Sequence, residues 1–235
     1  KPMGTGAERK VVPTSPGIPP KKVEDVVILE YGNMESLEVI RRHAHDLALV
    51  MVEPVRSRNL DLQPVEFVRA LRKLTEELDI PLLFDEMVTG FRCHPGGAQA
   101  FYGIRPDLPT YGKIVGGEFP IGVVAGRKEF LDTLDGGFWS FGDHSSPEAD
   151  MTWFAGTFVR HPLALSAARA VLTRFKEEGP SLQEGLNRRT TAFVRELNDF
   201  FASRNAPIHI EHFSSAFYLN FTSYQEYSPL LFFEL

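Results

Sequence analysis

Pro81-Leu82-Leu83-Phe84-Asp85-Glu86 is an apolar run that ends in two acids, and Pro109-Thr110-Tyr111-Gly112-Lys113 leads downstream of it into a turn carrying Gly116-Gly117. The first run has the length and composition of a buried strand, and its carboxyl end brings carboxylates to the edge of the interior. Lys113 stands between a strand end and the paired glycines, where its amine can point inward. An acid and a lysine so placed can face one another across a small ligand.

The segments upstream give this pair its frame. Val26–Tyr31 is a short β-rich run bounded by Gly32-Asn33, and Met34–His45 has Leu37, Ile40 and Ala44 at helical spacing. Leu47–Val52 is nearly continuously apolar, the pattern of a strand covered on both faces, and it ends at Glu53-Pro54. Gln63–Asp79 is amphipathic: Val65, Val68, Leu71, Leu74 and Leu78 oppose Arg69, Arg72, Lys73, Glu76 and Glu77, and Pro64 suits a first helical turn. Residues 1–25 read as loop. Gly4-Thr5-Gly6 has neither the preceding strand nor the third glycine of a phosphate loop. Strands alternating with helices predict an α/β fold, with a mostly parallel sheet, flanking helices and right-handed crossovers. Ligands bind such sheets at the carboxyl ends of strands, where Glu53 and Asp85 fall.

Downstream, Ile121–Gly126 reads as a strand and Lys128–Leu134 as a short helix. Gly136–Asp150 is a long loop with Phe138, Trp139 and Phe141, of a length that is often functional. A helix follows from Pro162 to about Glu177, with Leu163, Ala167, Val171 and Phe175 on one face and small residues that allow close packing. Gly179-Pro180 breaks it, and a second helix runs from Ser181 to Ser203. Pro207–Glu211 and Ala216–Phe221 read as strands opening a small α+β unit.

Composition narrows the function classes. The 235 residues are 43% hydrophobic and 24% charged, with a net charge of -6, which offers no electrostatic footprint for nucleic acid or an anionic membrane. No apolar run approaches a membrane span, and the first residues do not form a signal peptide. The single cysteine, Cys93, fits a reducing, cytoplasmic location. The chain starts without methionine and stops in the apolar run 230–235, so a piece of a longer polypeptide is expected. His43 with His45, and His209 with His212, lack metal-ligand spacing, so no metal site is expected. Gly-x-Ser-x-Gly is absent, and Asp143-His144-Ser145 is a contiguous loop rather than a catalytic triad.

Three residues remain. Asp85 either caps a turn or pairs with Arg92, or it holds a cofactor's ring nitrogen protonated. Lys113 is either a solvated loop charge or an amine buried among apolar neighbours and able to form a Schiff base. Thr157, just before a helix, is a cap or a phosphate ligand at a helix N-terminus. Together they suit pyridoxal phosphate: an acid for the pyridinium, a lysine for the aldehyde and a hydroxyl for the phosphate.

Longer motifs carry a resemblance. Phe84-Asp85-Glu86-Met87-Val88-Thr89-Gly90-Phe91-Arg92 resembles the FDExxTGFR segment of class III pyridoxal phosphate-dependent aminotransferases, and 106–117 resembles their PDLxxxGKxxGG segment. Val52-Glu53-Pro54-Val55 and Gly96-Gly97-Ala98-Gln99 match as well. The resemblance implies fold type I with 1–178 in the large cofactor-binding domain and 179–235 in the small C-terminal one. It implies Lys113 as Schiff-base lysine and proton carrier, Asp85 on the pyridine nitrogen and Met87 against the ring. Thr157 would contact the phosphate of a neighbouring subunit, hence a homodimer.

Val88 stands where many members have a glutamine that reaches the phenolic oxygen, and an apolar residue there resembles the glutamate-1-semialdehyde aminomutase branch. Residues 155–165 and the aromatic loop 138–143 depart from that branch and resemble aminotransferase domains of hybrid polyketide/nonribosomal peptide synthetases. The implied activity is transfer of an amino group from an amino acid to a keto acceptor, specifically a β-ketoacyl chain on an acyl carrier protein. The alternatives are a 2,1-aminomutase and a non-catalytic relic of the fold. In the family, a phosphate cup and a ring-stacking aromatic lie upstream of Lys1, and further substrate contacts lie beyond Leu235.

Overall fold

The computed structural model describes residues 2–3 and 8–223. In chain order the elements are β1 (Pro2–Met3), β2 (Glu8–Val11), β3 (Ile28–Leu29), α1 (Glu35–Arg42), β4 (Val50–Val52), α2 (Val65–Glu77), β5 (Leu82–Asp85), α3 (Gly97–Tyr102), β6 (Leu108–Gly112), β7 (Gly122–Val124), α4 (Lys128–Asp135), α5 (Pro162–Glu178), α6 (Pro180–Ser203), β8 (Ile208–Phe213) and β9 (Ala216–Phe221). They fall into two compact units: 1–50 with 64–82, and 51–63 with 83–235.

In the first unit the sequence expectation of a loop over 1–25 is corrected. β1, β2 and β3 form an antiparallel sheet, with Pro2 opposite Val11 and Glu8 opposite Leu29. These strands have two to four residues and carry almost no periodic signal; pairing makes them strands. α1 buries Ser36, Val39 and Ile40. α2 buries Phe67, Val68, Leu71, Leu74 and Thr75: the expected Val68, Leu71 and Leu74 form the stripe, widened by Phe67 and Thr75, with Val65 and Leu78 half-buried at its ends. Phe67 meets Tyr31 edge to face at 5.7 Å, which locks that turn of the stripe. Outside it, Arg41 and Glu77 pair at 3.1 Å.

The second unit carries a mixed sheet in the order β4-β5-β6-β7. β5 and β6 are parallel, and β7 is antiparallel to β6 with Thr110 opposite Val124. β4 is an edge strand. Met51 in it is 66% exposed, so the expected cover on both faces is not found among the described residues. α5 packs on the turn 113–116. It buries Ala164 and Ala168, whereas Leu163, expected on that face, is exposed: small side chains let the backbones approach. β8 and β9 form an antiparallel hairpin against α6. Asn198 of α6 closes on the Ile210 backbone in both directions, at 3.0 and 2.8 Å. At the other end of α6, Gln183 donates to the Phe91 carbonyl and Asn187 to the Cys93 carbonyl, both at 3.1 Å. Among the described residues no helix is long and apolar enough to cross a membrane.

Candidate active site

Parallel pairing of β5 and β6 sets Asp85 opposite Thr110, and the Glu86 N–H extends the ladder to the Thr110 carbonyl at 3.0 Å. The carboxyl ends of the two strands are therefore neighbours, with Asp85 closing one and Lys113 following the other. Asp85 is half-buried. Its Oδ1 accepts from the Met87 N–H at 3.0 Å, which turns the chain after the strand; its Oδ2 has no partner among the described residues. The turn-capping reading of Asp85 is thus present in the structure, and the pairing with Arg92 is not. The Arg92 Nε donates instead to the Val88 carbonyl at 2.9 Å, and burial lowers the guanidinium pKa.

Met87 lies over Gly112. A Cβ at that glycine would overlap the Met87 Cε, so the thioether rests directly on the backbone preceding Lys113. Gly112 is extended, and Lys113 then adopts φ +48, a left-handed conformation that costs a non-glycine residue about 1–2 kcal/mol. Lys113 opens a 3-10 turn to Gly116 and is exposed, with no hydrogen bond or ion pair among the described residues. Of the two readings of Lys113, the exposed loop charge is the one present here, and the buried amine is not. Lys113 instead lines an open groove of about 770 Å³ with Arg92, Ile114, Phe119, Ile121, Val171 and Phe175.

Thr157 does not cap a helix. It begins a turn over 157–160, while α5 starts at Pro162 with His161 at the N-cap, because proline sets the first helical φ. Thr157 is exposed and is not among the groove residues. Among the described residues no cluster of His, Cys, Asp or Glu could hold a metal ion.

The fit to a pyridoxal group is tested by the donor set. One carboxylate oxygen and one primary amine, both without partners among the described residues, stand at adjoining strand ends, with a thioether packed against the backbone that leads to the amine. An unpartnered carboxylate suits a protonated ring nitrogen, and an unpartnered amine suits an aldehyde. The ring and aldehyde ends of the cofactor therefore fit.

Glu86, Gln99 and Tyr111 surround this edge, and the sequence pattern assigns them no role. Burial, then the negative Glu86, pushes the Tyr111 phenol up to about 12 despite the hydrogen bond from Gln99. The signal that could have marked them is the acid doublet Asp85-Glu86, in which a second carboxylate continues inward from a buried strand.

Residues 5–211 match the family model described as aminotransferase class-III. The chain is 39% identical over 178 residues to a glutamate-1-semialdehyde 2,1-aminomutase of Caldivirga maquilingensis, covering 75% of this chain and 39% of that protein. It is 35% identical over 220 residues to the enzyme of the same name from Pyrobaculum calidifontis, covering 93% and 47%. The chain thus spans about half the length, or less, of these relatives. Among solved structures, an omega-transaminase from Sphaerobacter thermophilus superposes with TM-score 0.74 at 26% identity, over 91% of this chain and 46% of that one. A transaminase with PLP bound gives 0.74 at 26% identity, over 90% and 46%. The fold is that of the fold type I transferases that use this cofactor. The acid, the lysine and the sheet edge that joins them accord with the match over residues 5–211: the chain belongs to the class-III aminotransferase family, whose cofactor is pyridoxal 5′-phosphate.

Proposed function

We propose that the full-length protein is an aminotransferase that moves an amino group from an amino-acid donor to a keto acceptor, and that the acceptor is a β-ketoacyl chain on an acyl carrier protein. The observation that carries the amino-transfer chemistry is the placement of Asp85 and Lys113 at the carboxyl ends of neighbouring parallel strands; the acceptor rests on the resemblance of 138–143 and 155–165 alone. When bound, pyridoxal phosphate supplies an electron sink for the charge left as a donor's α-proton departs. Asp85 Oδ2 would hold the ring nitrogen protonated, and the Met87 N–H on Oδ1 keeps that carboxylate oriented. Lys113 Nζ would hold the cofactor's aldehyde covalently; released from that link when the donor's amine takes its place, it would be the free amine positioned to accept the α-proton as a general base and hand it on as a general acid. Met87 and Val88 would hold the ring, and Thr157 would hold the phosphate bound by a second subunit of a homodimer. In this reading 1–178 belong to the large domain and 179–235 to the small one, in a cytoplasmic protein.

Lys113→Ala in the full-length protein tests it. The yellow, borohydride-reducible chromophore and turnover are both expected to vanish; their survival would sink the assignment.

A second reading is a 2,1-aminomutase that moves the amino group within one substrate. It is favoured by the apolar Val88 and by relatives such as those from Caldivirga and Pyrobaculum. A β-ketoacyl carrier protein and glutamate-1-semialdehyde, offered separately, discriminate: turnover of the second alone selects the aminomutase.

A further inference from the structure

We infer that Glu86, Gln99 and Tyr111 form a positioning relay that fixes the backbone of Gly112-Lys113 against the end of the strand bearing Asp85; the inference rests on the roles proposed above for Asp85 and Lys113.

Glu86 is 1% exposed. A buried carboxylate is costly unless donors surround it. Four do. Thr89 Oγ1 donates to Oε2 at 2.8 Å and the Ala98 N–H to the same oxygen at 2.7 Å. The Gln99 N–H and Gln99 Nε2 donate to Oε1 at 2.9 and 3.3 Å. All four are neutral donors, and no cation pairs with Glu86 among the described residues. The backbone closes on the acid at Gly97, whose φ of +70 and missing Cβ leave room for the carboxylate that a side chain would strike.

The relay then leaves β5. Gln99 Nε2 also donates to Tyr111 Oη at 2.7 Å, on the neighbouring strand. The Tyr111 ring is held from its far side as well. A Cβ at Gly90 would come within 2.6 Å of its Cδ1, and the Phe91 ring lies 5.3 Å away. Tyr111 thus has its ring gripped and its hydroxyl bonded two residues before Lys113. A left-handed lysine persists only where its surroundings over-determine it. A scaffold that needed packing alone would be served by apolar side chains at 86 and 99. A buried charge linked by polar contacts to the strand of the proposed reactive lysine instead sets distance and angle between Asp85 and Lys113. None of the three is proposed to touch reacting atoms.

The test uses the full-length protein with Tyr111→Phe, which removes the Gln99–Tyr111 contact, and Gln99→Met, which removes that contact and the one from Gln99 Nε2 to Glu86; Glu86→Gln, which presents an amide NH₂ to backbone N–H groups, is the severe variant and is informative only where it folds. In cofactor-free protein, both mild variants should speed amide hydrogen exchange over 113–116 about tenfold, the worth of one hydrogen bond. In cofactor-loaded protein, they should shift the pH midpoint of the lysine–cofactor absorbance by about half a unit. A lowered melting temperature with both readouts unmoved overturns the relay and leaves a scaffold role. If wild-type protein forms no chromophore, the proposed function fails, and the exchange measurement alone then decides the relay: unchanged exchange over 113–116 refutes it.

Discussion

At the carboxyl end of β5, Glu86 is buried and surrounded by four donors; one strand over, Lys113 is exposed, left-handed and without a partner among the described residues. The two ends adjoin in one parallel pair, yet they are finished in opposite ways. The first is a closed network whose bonds all serve the protein. The second keeps an unfavourable backbone and a free amine at the wall of an open groove. Stability and availability are thus divided between neighbours: the Glu86 carboxylate is bonded throughout within the protein, and the Lys113 amine is bonded to nothing among the described residues.

Stability measurements can break that contrast. Glu86→Ala should cost about 3 kcal/mol or more, because it strands several buried donors at once, and denaturant unfolding reads it. Gly97→Ala should cost about 2 kcal/mol, from its left-handed φ and the intrusion on Glu86. That cost should shrink in the Glu86→Ala background, where the clash is gone; equal costs in both backgrounds would mean the glycine serves backbone conformation only.

Alkali reads the closed end through its neighbour Cys93. Burial, then the negative Glu86, pushes its thiol from an ordinary 9.0 up to about 12. The folded state therefore keeps a proton that the unfolded chain has lost, so this contribution is complete below about pH 9 and falls away as pH rises toward 12. At pH 10 the loss should be about 1 kcal/mol, and Cys93→Ala should remove it; melting temperatures at pH 8 and 10 are the check. The smallest effect is expected at the open end. Lys113→Gly should stabilise the protein by about 0.5–1 kcal/mol, because glycine accepts φ +48 freely, while it abolishes the chromophore. A loss of stability there would show that the lysine is part of the frame after all.

Much of this was legible in the chain. β5, α2 and α6 follow from local periodicity, and Asp85 and Lys113 follow from being charges at the ends of apolar runs. What local pattern could not carry was decided by tertiary contact. β1 and β2 exist only because they pair. α3 is six residues long and opens on a left-handed glycine, so no periodicity announces it. On α5, Val171 and Phe175 lie on the expected face and Ala164 and Ala168 allow the close approach; only Leu163 departs, because apolarity at the first helical turn does not ensure cover. The exposure of Lys113 depends on the turn that begins at it, and Thr157 sits in a turn of its own because Pro162 sets where the helix starts. Glu86 looked like the second of two strand-end acids; its four donors lie on a loop and a helix start whose path the sequence alone does not give.

The amides of α6 set an order of events during synthesis. Every side-chain partner of Glu86 lies within 13 positions of it, so that network can close soon after this stretch leaves the ribosome. Gln183 and Asn187 reach the Phe91 and Cys93 carbonyls across 92 and 94 positions. Until they are made, the turn that follows the Glu86 network waits with those two carbonyls open to water, and its final closure is a late, long-range step on the folding path.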